Sequence, residues 1–255
     1  MNMSQIALTR ENSIESGLVD WKGLYRLAAA AALAIIVVSL LDIIITMLPW
    51  GATPDPGKAS VTEWFSLIQA NWFLGLRGLG LLNILTIGLA APVFLALLAV
   101  QRQHNLAFSA LALILVVIGA TIYISNNSAL SMLTLSRRYV LATSEVEKAQ
   151  LAAAGQMLLT RAEDFTPGAY AGFIFTEVGY LLAALVMLHS GQFGKAIARV
   201  GLTGFALMII STSWATFVPV YYDATVLMAM IGGLCCMTWF FLVARRLWRL
   251  AREGK

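Results

Sequence analysis

Charge is what this sequence has least of. Asp, Glu, Lys and Arg make up 12% of its 255 residues, about half the ~25% of soluble domains. A soluble fold of this length would lack a polar surface, which excludes a cytosolic enzyme, a disordered chain and a nucleic-acid module. The net charge of +4 does not reverse this. Much of it sits in residues 245–255 beside an apolar run, where a basic tail acts as a topology signal and an anchor to anionic lipid. No nucleic-acid partner is expected. Cysteine is equally scarce. Cys235 and Cys236 are adjacent, and the peptide between neighbours resists the geometry of a bridge. They read as small packing residues, and a disulfide scaffold is excluded.

Histidine numbers two, His104 and His189, each in a polar turn. No pair can face across a bundle to hold haem, and no zinc-ligand spacing exists, so neither a metal site nor a cofactor is expected. There is no Gly-x-Ser-x-Gly elbow, and no lysine in the last apolar run to form a Schiff base. The stretch Gly75-Leu-Arg-Gly-Leu-Gly80 follows no strand, so it reads as close helix packing and not as a phosphate loop. An enzyme is therefore the least supported class.

What is present is apolar sequence: 60% hydrophobic residues and a mean hydropathy of +0.81, gathered in long blocks. Six of them cover the ~30 Å hydrocarbon core at ~1.5 Å per residue: about 24–48, 72–100, 106–124, 170–188, 200–218 and 224–244. The first is too long for a signal-peptide core. The expected fold is all-α, a polytopic membrane protein with six transmembrane helices. Residues 1–21 form a polar cytoplasmic tail, 22–244 the membrane domain and 245–255 a basic cytoplasmic tail. Residues 137–168 are too polar to span. Ser144 and Glu147 have capping-box spacing, and Val146, Ala149, Ala153 and Met157 share a helical face. A short amphipathic outer cap helix between spans 3 and 4 is expected, ended by Thr166-Pro167-Gly168.

Six spans put both termini on one side. With the N-terminus inside, inner segments hold Arg10, Lys22, Arg26, Arg102, Lys195, Arg199, Arg245, Arg246, Arg249, Arg252 and Lys255. Outer segments hold only Lys58, Arg137, Arg138, Lys148 and Arg161. The positive-inside rule then puts both termini in the cytoplasm. An outer aromatic belt would comprise Trp50, Trp64, Trp72, Tyr139, Tyr170, Tyr221 and Tyr222, and an inner one Trp21, Tyr25 and Trp248.

Charges inside a span are costly and mark candidate sites. Asp42, Arg77 and Glu177 are placed at a common depth, ~7–11 Å below the outer interface. Asn126, Asn127, Ser211 and Thr212 lie near that level, and Asn83 lies deeper. Two readings stand side by side: a polar pocket opening outward that binds a ligand or ion, or an arginine locking helices together through its acids. In both, Arg77 is expected to face Asp42, Glu177 or both.

Two stretches carry a resemblance. Asn126-Asn-Ser-Ala-Leu-Ser-Met-Leu-Thr-Leu-Ser-Arg-Arg-Tyr139 leads into Glu147-Lys-Ala-Gln-Leu-Ala-Ala-Ala-Gly155, and Gly191-Gln-Phe-Gly-Lys-Ala-Ile-Ala-Arg-Val-Gly201 follows later. With the six apolar blocks, this resembles a bacterial integral-membrane family catalogued as domain of unknown function 4386, over about residues 20–250. Asn127 stands where the family pattern has proline. The resemblance implies a bacterial plasma-membrane location and six helices, and it transfers no activity and no site residue. Three functions remain open: a non-enzymatic protein binding a small molecule, lipid, ion or membrane partner through the polar cluster; a secondary transporter, though no internal repeat is visible; and an intramembrane enzyme using Asp42 and Glu177.

Overall fold

A computed structural model describes residues 21–54, 58–162, 166–218 and 222–253. Most of the expected N-terminal tail, Tyr221 of the expected belt and the last two residues fall outside them. The elements are α1 (Trp21–Met47), a 3-10 turn (Pro49–Gly51), α2 (Val61–Ala70), α3 (Trp72–Gly78), α4 (Leu81–Asn126), α5 (Ala129–Leu141), α6 (Glu145–Ala162), α7 (Pro167–Ser190), α8 (Lys195–Phe217) and α9 (Tyr222–Glu253). No strand occurs among the described residues. Five helices are long and apolar enough to cross a membrane. Their outward faces carry large apolar side chains, such as Leu27, Val37 and Ile44 on α1 and Leu227, Ile231 and Leu234 on α9. Such faces suit lipid, and the chain is a multi-pass membrane protein.

The 46 residues of α4 would extend ~69 Å if straight. They fold back instead at Asn105, whose φ of −156° and ψ of 77° break the helix. Its Oδ1 accepts from the Phe108 amide at 3.2 Å, capping the second arm. Ser109 Oγ donates to Gln101 Oε1 at 3.2 Å across the bend. At the far end, Asn127 Nδ2 donates to the Leu79 carbonyl at 3.0 Å. The two arms are antiparallel.

Helix α4 packs on α1 and α7, α8 on α7 and α9, and α9 closes back on α1. The core is built from small and aromatic side chains. Ala28, Ala29 and Ala32 of α1 are fully buried. Phe94 stacks on Tyr180 with centroids 4.7 Å apart, and Trp239 meets Phe205 edge-on at 5.0 Å. Glycines set the closest approach. A Cβ on Gly179 would come within 2.8 Å of Val116 and 2.9 Å of the Ala112 carbonyl, and one on Gly172 would meet Tyr123 at 2.9 Å.

The cap is larger than the sequence suggests and begins elsewhere. Helices α2, α3, α5 and α6 gather at one end of the bundle around Trp64, Phe65, Met132 and Leu159. Trp64 is fully buried there and belongs to no interfacial belt. Helix α6 starts where the spacing of Ser144 and Glu147 puts it, and Ser144 Oγ accepts from the Glu147 amide at 3.1 Å. Its buried face is not the expected one, however. Leu151, Gly155, Leu159 and Ala162 point inward, while Val146 and Met157 are 69% and 65% exposed. Alanine, leucine and methionine surround this helix, so periodicity hardly selects a face. Gly155 does, because a Cβ there would sit 2.5 Å from Val61 and 2.8 Å from Phe65. On the exposed side, Lys148 Nζ donates to Glu145 Oε1 at 3.0 Å, which pushes the ammonium above its ordinary value.

The second expected span also begins later. Residues 72–78 form the separate helix α3, because Gly80 takes a φ of +81° and the Tyr123 hydroxyl fills the space a side chain would need. Replacing Gly179 with Val should therefore destabilise the protein by about 2 kcal/mol, the usual cost of overpacking. Gly88→Ala, whose Cβ meets nothing within 4 Å, should leave stability unchanged or slightly raised. Thermal unfolding in detergent distinguishes the two outcomes.

Candidate functional site

The expected polar cluster resolves into separate groups. Arg77 sits on α3, outside the long helices, and is only 7% exposed. Its Nη1 donates to Asp42 Oδ1 at 2.7 Å and to Thr46 Oγ1 at 2.8 Å. Its Nη2 donates to the Gly51 carbonyl at 2.8 Å. Asp42 and Thr46 lie one turn apart on α1, and Thr46 in turn donates to the Asp42 carbonyl. The guanidinium thus fastens the cap to the end of α1 and to the turn that follows it. Its acid is Asp42, not Glu177.

The shared depth of the three charges does not hold. Asp42 lies five residues before the end of α1, or ~8 Å, and Arg77 lies in the cap. Glu177 lies ten residues into the 24-residue α7, ~15 Å along and near its midpoint. The depth estimate placed the helix start at Tyr170, whereas Pro167 opens it.

Two asparagines are structural. Asn127 donates to Leu79 and accepts from the Ala129 amide at 2.9 Å, so it ties α3 and α4 to the start of α5. Asn126 Oδ1 accepts from Arg161 Nη2 at 2.6 Å and Nε at 3.1 Å, linking α4 to α6. Ser211 Oγ donates to the Thr225 carbonyl at 2.8 Å, joining α8 to α9.

Glu177 is different. Thr212 Oγ1 donates to its Oε1 at 2.8 Å, but its Oε2 is buried without a hydrogen-bond partner. The residue is 7% exposed and lines a partly open cavity of about 220 Å³ between α1, α4, α7, α8 and α9. Other buried polar atoms also lack partners, among them Arg77 Nε, Gln101 Nε2 and the indole of Trp239. None of those residues lines this cavity. Leaving a carboxylate oxygen unpaired in an apolar surround is costly, so its place at a cavity wall is informative.

The wall follows helical spacing. Helix α7 supplies Phe173, Thr176, Glu177 and Tyr180. The first arm of α4 supplies Asn83, Thr86 and Ile87. Helix α8 gives Phe205 and Met208, and α9 gives Gly233, Cys236, Met237 and Phe240. Spacings of three and four put each set on one face. The sequence held that signal around Glu177 and Asn83, but reading polar residues alone missed the aromatic and methionine side chains beside them. Gly233 lines the cavity, and a Cβ there would meet nothing within 4 Å. At the neighbouring Gly232 an added Cβ would come within 3.1 Å of Leu207. Among the described residues, no three His, Cys, Asp or Glu side chains could hold a metal ion together. His104 and His189 lie well away from the wall, His104 within 3.3 Å of the Gln192 amide.

This is a helical multi-pass membrane protein with a carboxyl-bearing cavity among its long helices. The chain belongs to the family described as domain of unknown function DUF4386, which matches residues 71–244. The match is shorter than the span of 20–250 read from the sequence: α1, and Asp42 with it, precede it, while Arg77 and the Glu177 wall on α4, α7, α8 and α9 fall inside. No curated protein and no solved structure matches the chain.

The two acids should separate in a mutational cycle. Arg77→Met should cost about 2 kcal/mol. That is short of the ~3–5 kcal/mol of a fully buried pair, because the Asp42 side chain keeps 38% exposure. Arg77→Met with Asp42→Leu should recover part of the loss, and Arg77→Met with Glu177→Gln should be additive. Unfolding in detergent of these three variants and of the single Asp42→Leu and Glu177→Gln variants, against the wild type, measures both couplings.

Proposed function

We propose that this chain is a six-crossing protein of the bacterial plasma membrane, with both termini cytoplasmic and the cap outside, that binds a small molecule at Glu177. The antiparallel arms of α4 support six crossings, since each arm is long enough to span. The uneven distribution of lysine and arginine supports the orientation. One observation carries the binding reading: the buried, unpartnered Glu177 Oε2 at a cavity wall. Arg77 commits both of its terminal nitrogens to Asp42, Thr46 and Gly51, whereas Glu177 keeps one carboxyl oxygen without a hydrogen bond beside a cavity.

Binding fits better than catalysis. A two-acid mechanism needs carboxyls that face one another, whereas Asp42 is committed to Arg77 and Glu177 takes its hydrogen bond from Thr212. The binding site is also narrower than the polar cluster read from the sequence. Asn83 and Glu177 belong to the wall, Thr212 orients the carboxyl, and Asp42, Arg77, Asn126, Asn127 and Ser211 hold helices together.

Two measurements test this reading. A reporter fused after Lys255 should be active only in the cytoplasm, and one inserted near Gln150 only outside; the reverse pattern sinks the orientation. For the site, a panel of neutral, cationic and anionic small amphiphiles should include members that raise the unfolding temperature of the full chain in nanodiscs. Gly233→Leu, which fills the cavity without a backbone clash, should abolish those shifts. No shift with any member, or shifts that persist in Gly233→Leu, would overturn binding in this cavity.

A further inference from the structure

Resting on that reading, we infer that the ligand of the Glu177 cavity is a compact organic cation, an ammonium group carrying an apolar body. Four features of the wall converge on this chemistry. The first is charge. Among the described residues, Glu177 is the sole Asp, Glu, Lys, Arg or His on the wall, and both terminal nitrogens of Arg77 are spent on Asp42, Thr46 and Gly51. An anion would meet a carboxylate with no compensating base. The second is the free acceptor. With Oε1 taken by Thr212, Oε2 is an acceptor with no hydrogen bond of its own, and charge-assisted contacts are the strong ones in such surroundings.

The third is aromatic content. Phe173, Tyr180, Phe205 and Phe240 line the cavity. Tyr180 meets Phe205 at 5.2 Å and Phe240 at 5.9 Å, both edge to face. Aromatic faces attract ammonium groups, more strongly when water is excluded. The sulfurs of Met208 and Met237 add polarisable, shape-tolerant contact. The fourth is the shortage of anionic oxygen. Calcium and magnesium sites are built around carboxylates, and among the described residues Glu177 is the one carboxyl on this wall. The apolar remainder suits a hydrocarbon body. A volume near 220 Å³ falls below the ~300–1,000 Å³ of drug-sized sites, which limits that body to about one ring.

The probe is benzyltrimethylammonium, whose charge is permanent, set against its neutral carbon isostere neopentylbenzene. Both are titrated into the full chain in phosphatidylcholine nanodiscs, followed by unfolding temperature and by the fluorescence of the buried tryptophans. The cation should bind at least tenfold more tightly than the isostere. Glu177→Gln should weaken the cation at least tenfold and leave the isostere unchanged. Should Glu177→Gln fail to accumulate, Gly233→Leu must abolish binding of both probes. Equal binding of cation and isostere, or full retention of the cation by Glu177→Gln, overturns the cation assignment and leaves small-molecule binding intact. No binding of the cation to the wild-type chain also overturns the assignment. Small-molecule binding itself falls only if the broader panel is silent as well.

Discussion

A polar group among apolar helices must find its partner inside the protein, because neither lipid nor a packed core supplies one. That constraint accounts for most of the specific contacts in this chain. Arg77 gathers three acceptors from the end of α1 and the turn after it. Asn127 bonds backbone groups of the α3–α4 junction and of α5. Ser211 reaches the Thr225 carbonyl, and Ser109 reaches Gln101. Each contact joins two elements or the two arms of α4, so satisfying the polar groups and fixing the helix arrangement are the same event. Against that pattern the open oxygen of Glu177 stands out as the exception at a cavity wall.

The cap shows a second consequence. Arg77 lies between a small helical assembly and the long helices, and its hydrogen bonds join those of Asn126 and Asn127 as polar ties across that junction. The assembly itself packs around Trp64, Phe65 and Leu159, with Gly155 letting α6 approach α2 closely. Anchoring the cap on α1 leaves α4, α7, α8 and α9 to enclose the cavity with α1's middle, where Ile35 and Ser39 complete the wall. The structural charge pair and the cavity carboxyl are therefore distinct parts of the fold.

Much of this was legible in advance, and the failures are physical. The apolar blocks gave the helices because their lengths are set by hydrocarbon thickness. Ser144 and Glu147 marked the start of α6. A second capping box, Ser60 with Glu63, was equally readable and complete, with bonds of 3.4 and 3.2 Å. That box opens α2, which the apolar-block reading does not include. The buried face of α6 was misjudged because its composition is nearly uniform around the helix. Asp42, Arg77 and Glu177 do not share one depth, because hydropathy registers neither the break at Gly80 nor the helix start at Pro167.

The sequence by itself determined the class of protein, the long helices and the residues whose burial demands a partner. Composition and run length decide those, since each is a property of one segment against its solvent. The tertiary structure alone decided which partner each polar residue took. Asp42 and Glu177 were equal candidates for Arg77 in one dimension. Packing put Arg77 on the cap beside α1 and sent Glu177 to Thr212. It also brought Asn83, Phe205, Phe240 and Gly233 from three other helices to one wall. Such a wall has no signature in any single segment, because it exists only where the faces of separate helices meet.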